Sequence, residues 1–284
     1  MKLIINILLF FTCSLHVLAQ DKPAYVIYNA KGKKVTYAKM LKTMQDQDLV
    51  LFGELHNNAI AHWLQLELTK DMHKTREIVL GAEMVEADNQ GELNAYLKGE
   101  IDTKALDTTA RLWSNHKTDY APLVDYAKQQ GIPFIATNIP RRYAKMVHKG
   151  GFGALDTLTS EEKEWIAPLP ILYDSLLPTY QEILVMMGDH GTPELVMAQA
   201  IKDATMAYFI SQNWNTPKLF IHYNGAYHSN YYEGIGWYIN KYNPAIQSKT
   251  ITTVTQENIG KLLEENIGKA DFIICVDEDM TSTY

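Results

Sequence analysis

Cysteine is nearly absent from this 284-residue chain, which has only Cys13 and Cys275. Cys13 lies in an amino-terminal segment that reads as a cleaved leader, so the remaining chain cannot close a disulfide within itself and must rely on apolar burial. Cys275, inside Phe272-Ile273-Ile274-Cys275-Val276, reads as a small buried hydrophobe. Basic residues form no block. The net charge of −7 is spread along the sequence, which argues against a nucleic-acid partner. No His-Glu-x-x-His helix, Gly-x-Ser-x-Gly elbow, phosphate loop or Gly-x-Gly-x-x-Gly occurs, so zincin, serine-hydrolase, nucleotide and dinucleotide chemistries have no local support.

What is present begins with Met1-Lys2, an apolar run from Leu3 to Phe11, and Val17-Leu18-Ala19 before Gln20. This pattern predicts a secretory signal peptide over 1–19 and an exported protein, periplasmic or outer-membrane associated. The run is too short for a membrane-spanning helix, which needs ~20 residues. Cys13 offers an alternative as a lipid-attachment site, but Phe10 and Thr12 depart from the usual flanking residues.

Apolar content of 46% and charged content of 21% fit a soluble globular domain. Tyr25 to Thr36 reads as a small edge hairpin, and Thr36 as the cap of a following helix. Three apolar runs then alternate with helical patterns: Leu49 to Gly53, Glu77 to Val85, and Ile132 to Asn138. That order predicts an α/β fold, a mostly parallel sheet covered by helices on both faces. Asp119-Tyr120-Ala121-Pro122 reads as a helix start with an acidic cap. From about 141 to 213 no strand pattern appears, and helices are expected around 142–148, 160–166, 178–187 and 192–212, an inserted helical cap. Leu219 to Tyr223 returns to the sheet. A strand at 251–254, a helix at 256–266 and a last strand at 271–276 complete the expected order.

The candidate site lies where strands end. Leu49-Val50-Leu51-Phe52 runs into Gly53-Glu54-Leu55-His56, and Leu219 to Tyr223 runs into Asn224-Gly225-Ala226-Tyr227-His228. Both finish on Gly-x-x-His, with glycine expected to permit a sharp turn and close approach of a ligand. The run through Ile78-Val79-Leu80 delivers Glu83, and a carboxylate after so apolar a strand needs a cation, a proton or a hydrogen-bond partner. Glu54, His56, Glu83 and His228 are therefore the candidate residues. His56, Glu83 and His228 could bind a divalent transition metal, the four together could act as an acid/base set in hydrolysis, and a haem site is a third reading. Of the other histidines, His62, His73, His116, His148 and His222 read as structural, with His62 the nearest to an exception.

The ordered set Gly53-Glu54-Leu55-His56 with His62 and Gln65, Glu83-Met84, Trp113 before Tyr120-Ala121-Pro122-Leu123, Asn138 with Pro140-Arg141, Gln199 with Asp203 and Met206-Ala207, and Asn224 to His228 before Gly234-Ile235 resembles the ChaN-like haem-binding uptake proteins. Their superfamily also holds the Tiki proteases, TraB-like proteins and erythromycin esterases. The resemblance spans roughly Asp48 to Tyr238. It implies an exported protein of haem or iron acquisition, with haem or an iron-containing ligand as partner, a homodimer, and a tyrosine on the iron. Glu54, His56, Glu83, Arg141 and His228 would then face the haem, with Tyr173 and Tyr180 as candidate tyrosines. The Tiki and esterase branches imply instead a metal-dependent or Glu/His acid-base hydrolase on the same strand-end residues.

Overall fold

The computed structural model describes residues 22–284. The expected leader and Cys13 lie outside these residues. Eight strands form one sheet: β1 (Tyr25–Asn29), β2 (Lys34–Val35), β3 (Leu49–Glu54), β4 (Ile78–Glu86), β5 (Phe134–Asn138), β6 (Leu219–Gly225), β7 (Ser248–Gln256) and β8 (Phe272–Asp277). Their order is β2-β1-β8-β7-β3-β6-β4-β5. Only the β1 hairpin and its pairing with β8 are antiparallel; every other pairing is parallel. The hairpin expected at an edge is there, with β2 outermost. At the other edge the Gln90 side chain completes β5, donating to Phe134 O at 3.0 Å and accepting from the Ala136 N–H at 2.6 Å, which shields part of an open strand.

Alternation along the central strands sorts side chains to two faces. Val50 and Phe52 of β3, Leu80 of β4, and Ile221 and Tyr223 of β6 pack against α1 (Tyr37–Met44), α2 (Ala59–His73) and α5 (Ala121–Gln130), with α3 (Gln90–Leu97) and α4 (Thr103–Thr109) alongside. Leu49, Leu51, Val79 and Phe220 face the opposite way, against α8 (Pro193–Asn213) and α9 (Ile235–Tyr242). The same alternation continues into the site. Glu54 follows Phe52 onto the α2 side, and Glu83 follows Val79 and Gly81 onto the α8 side.

The segment between β5 and β6 contains α6 (Arg141–Gly150), α7 (Pro178–Met187) and α8, and no strand. α8 packs on α6, α9 and β5, so it is a sheet-covering helix. Three local expectations differ from the structure. Thr159 and Glu162 form a reciprocal capping box, yet only a short turn, Glu162–Trp165, follows, because Pro168 and Pro170 stop the helix. Residues 257–263 form a loop after β7, followed by a single 3-10 turn, Glu264–Asn266, in place of the expected helix. Gln256 holds it, its amide donating to the carbonyls of Asn258 and Lys261 and accepting from the Leu263 N–H. Asp119 does not cap α5; it lies in a single π-turn, His116–Tyr120, and accepts from Asn115 and Thr283.

Candidate functional site

β3, β6 and β4 are adjacent, and their carboxyl ends bring Glu54, His56, Glu83 and His228 to one rim. Glu54 is fully buried and saturated with donors. Its Oε1 accepts from Tyr120 OH at 2.7 Å and from His56 Nδ1 at 2.9 Å, and its Oε2 from Gln65 Nε2 at 2.7 Å, with His62 Nδ1 3.3 Å away. Burial would raise its pKa, but His56 and His62 outweigh that and hold the carboxyl below its ordinary range. The His56 ring stands edge-on to Trp113, with centroids 4.8 Å apart. Its backbone carbonyl accepts from the His62 ring and from Asn115, so the turn that carries it is pinned. Burial pushes the His56 pKa down, and the carboxylates Glu54 and Glu83 more than reverse it.

A second set faces the other side of the sheet. Glu83 Oε2 accepts from the Gly225 N–H at 2.7 Å, and Oε1 lies 3.2 Å from His228 Nε2. His228 Nδ1 donates to Asp203 of α8, whose other oxygen accepts from Tyr180 OH at 2.8 Å. Burial alone would lower the His228 pKa; Glu83 and Asp203 overcome it and raise it to about 9. The ring is thus an imidazolium at neutral pH, clasped between two carboxylates. Burial pushes the Asp203 carboxyl up, while Glu83, despite burial, is held well below the carboxylate range by the His228 charge.

Gly225 joins the two sets. It pairs in register with Glu54, and a Cβ built on it would come within 2.8 Å of His56 Cε1 and 2.9 Å of Nε2. A Cβ on Gly53 would meet the Ala226 backbone at 3.0 Å. Neither glycine has a positive φ. Their role is room for a neighbouring side chain and backbone, where a sharp turn was expected.

Two clefts open at this rim, sharing His56, Glu83, Lys202 and Tyr284. One, of about 740 Å³, is bordered by Trp113, Asn138, Arg141 and Arg142. The other, of about 520 Å³, is bordered by Ile183, Met186, Ala226 and Tyr227.

The family model described as haem-binding uptake, Tiki superfamily, ChaN matches residues 40–239. The chain belongs to the ChaN family. ChaN of Campylobacter jejuni, solved with cofacial haem binding, shares its fold, with a TM-score of 0.67 and 15% identity over 89% of this chain and 97% of that one. An erythromycin esterase mutant, EreC, in its open conformation has a TM-score of 0.51 and 10% identity over 90% and 99% of the respective chains. The chloroplastic protein RETICULATA-RELATED 5 of Arabidopsis thaliana is 25% identical over 199 residues, a match to 64% of this chain that spans 26% of that protein.

In this ChaN-family chain Arg141, which the resemblance would place against haem, lines the larger cleft and not the smaller one. Tyr173 and Tyr180 do not reach either cleft. Tyr180 is buried and committed to Asp203, and Tyr173 packs between Phe152 and Tyr180. The exposed tyrosines at the rim are Tyr227, beside Met186, and Tyr284. Among the described residues no three His, Cys, Asp or Glu side chains are grouped to hold a metal ion. Both nitrogens of His228 are engaged by carboxylates, so a metal on it would have to displace one. His222 is structural, held by Thr137 and Asn224 and lowered by burial to about 4. His116, expected in a solvated segment, is buried.

Supporting residues were hardest to see from sequence. Gln65, Asp119, Tyr120 and Asp203 act only through tertiary contacts. Asp203 did carry a signal: it sits on the buried stripe of Ala200, Ala204 and Ala207, where a carboxylate needs a partner.

The raised His228 pKa predicts a pH dependence. Its contribution to stability is fully present below its ordinary value near 6.5 and is lost as pH rises through about 9. Thermal unfolding from pH 6 to 10 should show this loss, on the order of 3 kcal/mol, and His228→Gln should remove that part of the slope. An unchanged slope in the variant would refute the assignment.

Proposed function

We propose that this chain binds haem at the smaller cleft and serves haem or iron acquisition after export. One observation carries the reading: the His56 ring is anchored through Nδ1 to buried Glu54 and leaves Nε2 without a hydrogen bond at a cleft whose lining mixes polar groups with Ile183, Met186 and Ala226. A carboxylate behind an imidazole fixes its tautomer and raises its basicity, as it does for metal-bound histidines. Ile183, Met186 and Ala226 supply apolar contact, and Tyr227 offers an aromatic wall or a phenol oxygen. Lys202 at the same rim would meet a propionate. These residues fit haem, which supplies iron chemistry that the side chains alone lack. A homodimer through the exposed Leu176, Val185 and Met186 of and beside α7 belongs to the same reading, as does export through the amino-terminal leader. Among the described residues no helix is long and apolar enough to cross a membrane.

Haem titration of the purified chain should give a shifted Soret band with one-to-one saturation per chain. His56→Ala should weaken binding roughly 100-fold, in the range of lost metal-site contacts, and Tyr227→Phe should tell whether the phenol is also on the iron. Absence of any Soret shift would overturn the proposal.

The same dyad supports a second reading, acid-base hydrolysis with His56 as base and Glu54 holding its tautomer. Ester or amide turnover by haem-free protein, lost in His56→Ala, would favour it; no turnover would sink it.

A further inference from the structure

The segment that follows β8 turns back across the strand ends. Met280 packs against the main core beside the sheet. Ser282 then pairs with Asn58 in an isolated antiparallel bridge, and its hydroxyl accepts from Asn57 Nδ2 at 2.7 Å. The Thr283 N–H donates to the Asn57 carbonyl at 3.0 Å, and its Oγ1 donates to Asp119 Oδ2 at 2.7 Å. Both anchors belong to the scaffold of His56. Asn57 is the next residue in its turn, and Asp119 accepts from the same Asn115 amide that donates to the His56 carbonyl.

These ties place Tyr284 where the two clefts meet, and with His56, Glu83 and Lys202 it lines both. The other three stand on the sheet rim or on α8, whereas Tyr284 comes from irregular chain and is 65% exposed. A ligand in either cleft therefore meets its side chain. The segment is lightly held. Thr281 and Ser282 are exposed, and the bridge and hydrogen bonds above are a small return for ordering residues 281–284. Stretches with few buried contacts and accessible hydrogen bonds open locally far more often than the fold comes apart.

We propose that residues 281–284 form a strap that opens and closes over the strand-end site, with Tyr284 as the cover between an incoming ligand and His56. Docked, the strap walls both clefts and shields the imidazole; released, it leaves the clefts continuous above His56, Glu83 and Lys202. Ser282 and Thr283 are its latch, and Asp119 ties that latch to the support of the His56 turn. Haem and a hydrolysable ester or amide would both meet this cover, so the inference goes beyond the haem reading and does not rest on it.

The test uses haem-free protein and reads His56 itself, so its outcome is separate from the Soret titration. Diethylpyrocarbonate acylates the free lone pair of a neutral imidazole, which in His56 is on Nε2 because Nδ1 is held by Glu54. The rate at His56 is followed by peptide mass spectrometry and compared at its high-pH plateau, where a changed pKa in a variant has no effect. Deleting residues 281–284 should speed this acylation about tenfold, and Tyr284→Ala, which alters one exposed side chain and keeps the latch, about threefold. The rate at exposed His190 should stay constant as the internal reference. In the unaltered protein the strap amides should exchange hydrogen about 100-fold or more faster than those of β8. An unchanged His56 rate in either variant, or strap amides as protected as those of β8, would overturn the proposal.

Discussion

Replacing Glu54 by alanine should destabilise the protein by about 3–5 kcal/mol, the cost of breaking a buried charge pair. Tyr120 OH, Gln65 Nε2 and His56 Nδ1 all end on this one carboxylate. The variant leaves these donors buried and unpaired beside a new void. Glu54→Gln keeps the volume and accepts some of the bonds, so it should cost less. It also removes the charge that lifts His56, and the His56 pKa should fall. Urea denaturation with an unchanged m-value measures the first effect, and NMR titration of the ring measures the second. A loss below about 1 kcal/mol in Glu54→Ala, the size of an ordinary surface change, would show that the network is not a stability element.

Asp203→Ala should be comparably damaging, about 3–5 kcal/mol, on the opposite face of the sheet. Asp203 accepts from both the His228 ring and Tyr180 OH and is itself fully buried. Its removal leaves the His228 imidazolium to Glu83 alone, so the ring should titrate below its present value of about 9. Asp203→Asn retains an acceptor for Tyr180 and should be milder; Tyr180→Phe should cost about 1 kcal/mol, a single hydrogen bond. A double-mutant cycle between Asp203 and His228 should return a coupling of at least ~1 kcal/mol. Additive losses would mean that the two residues do not act together.

These two carboxylates mark what the sequence made legible. Glu54 closes an apolar strand, so both its location and its need for a partner could be read from Leu49 to His56. The sheet itself was legible for the same reason: buried parallel strands are continuous apolar runs, and β3, β4, β5 and β6 stand where those runs do. Asp203 belongs to the motif set of the resemblance, but its task was harder to read, because an acid within a helix usually faces water and its place on the buried stripe is the physical sign that it does not. The glycines of the two Gly-x-x-His endings were recognised but assigned the wrong physical task, since crowding by a ring from a strand about 170 positions away leaves no local trace. The segment 256–266 was misread because Ile259, Leu262 and Leu263 have helical spacing, while the Gln256 side chain satisfies the backbone groups that a helix would have used.

The strand order has a consequence for how the protein reaches this state. β6 lies between β3 and β4, yet it is made long after both, so the first two strands must wait apart for a third to slide between them. Contacts so distant along the chain form slowly. Until β6 inserts, Glu83 lacks the Gly225 N–H and His228 has not been delivered, so the second imidazole set does not exist in any partly folded form. The complete strand-end site is therefore a marker of completed folding, and a chain released or cut before residue 219 would lack its half from Gly225 to His228.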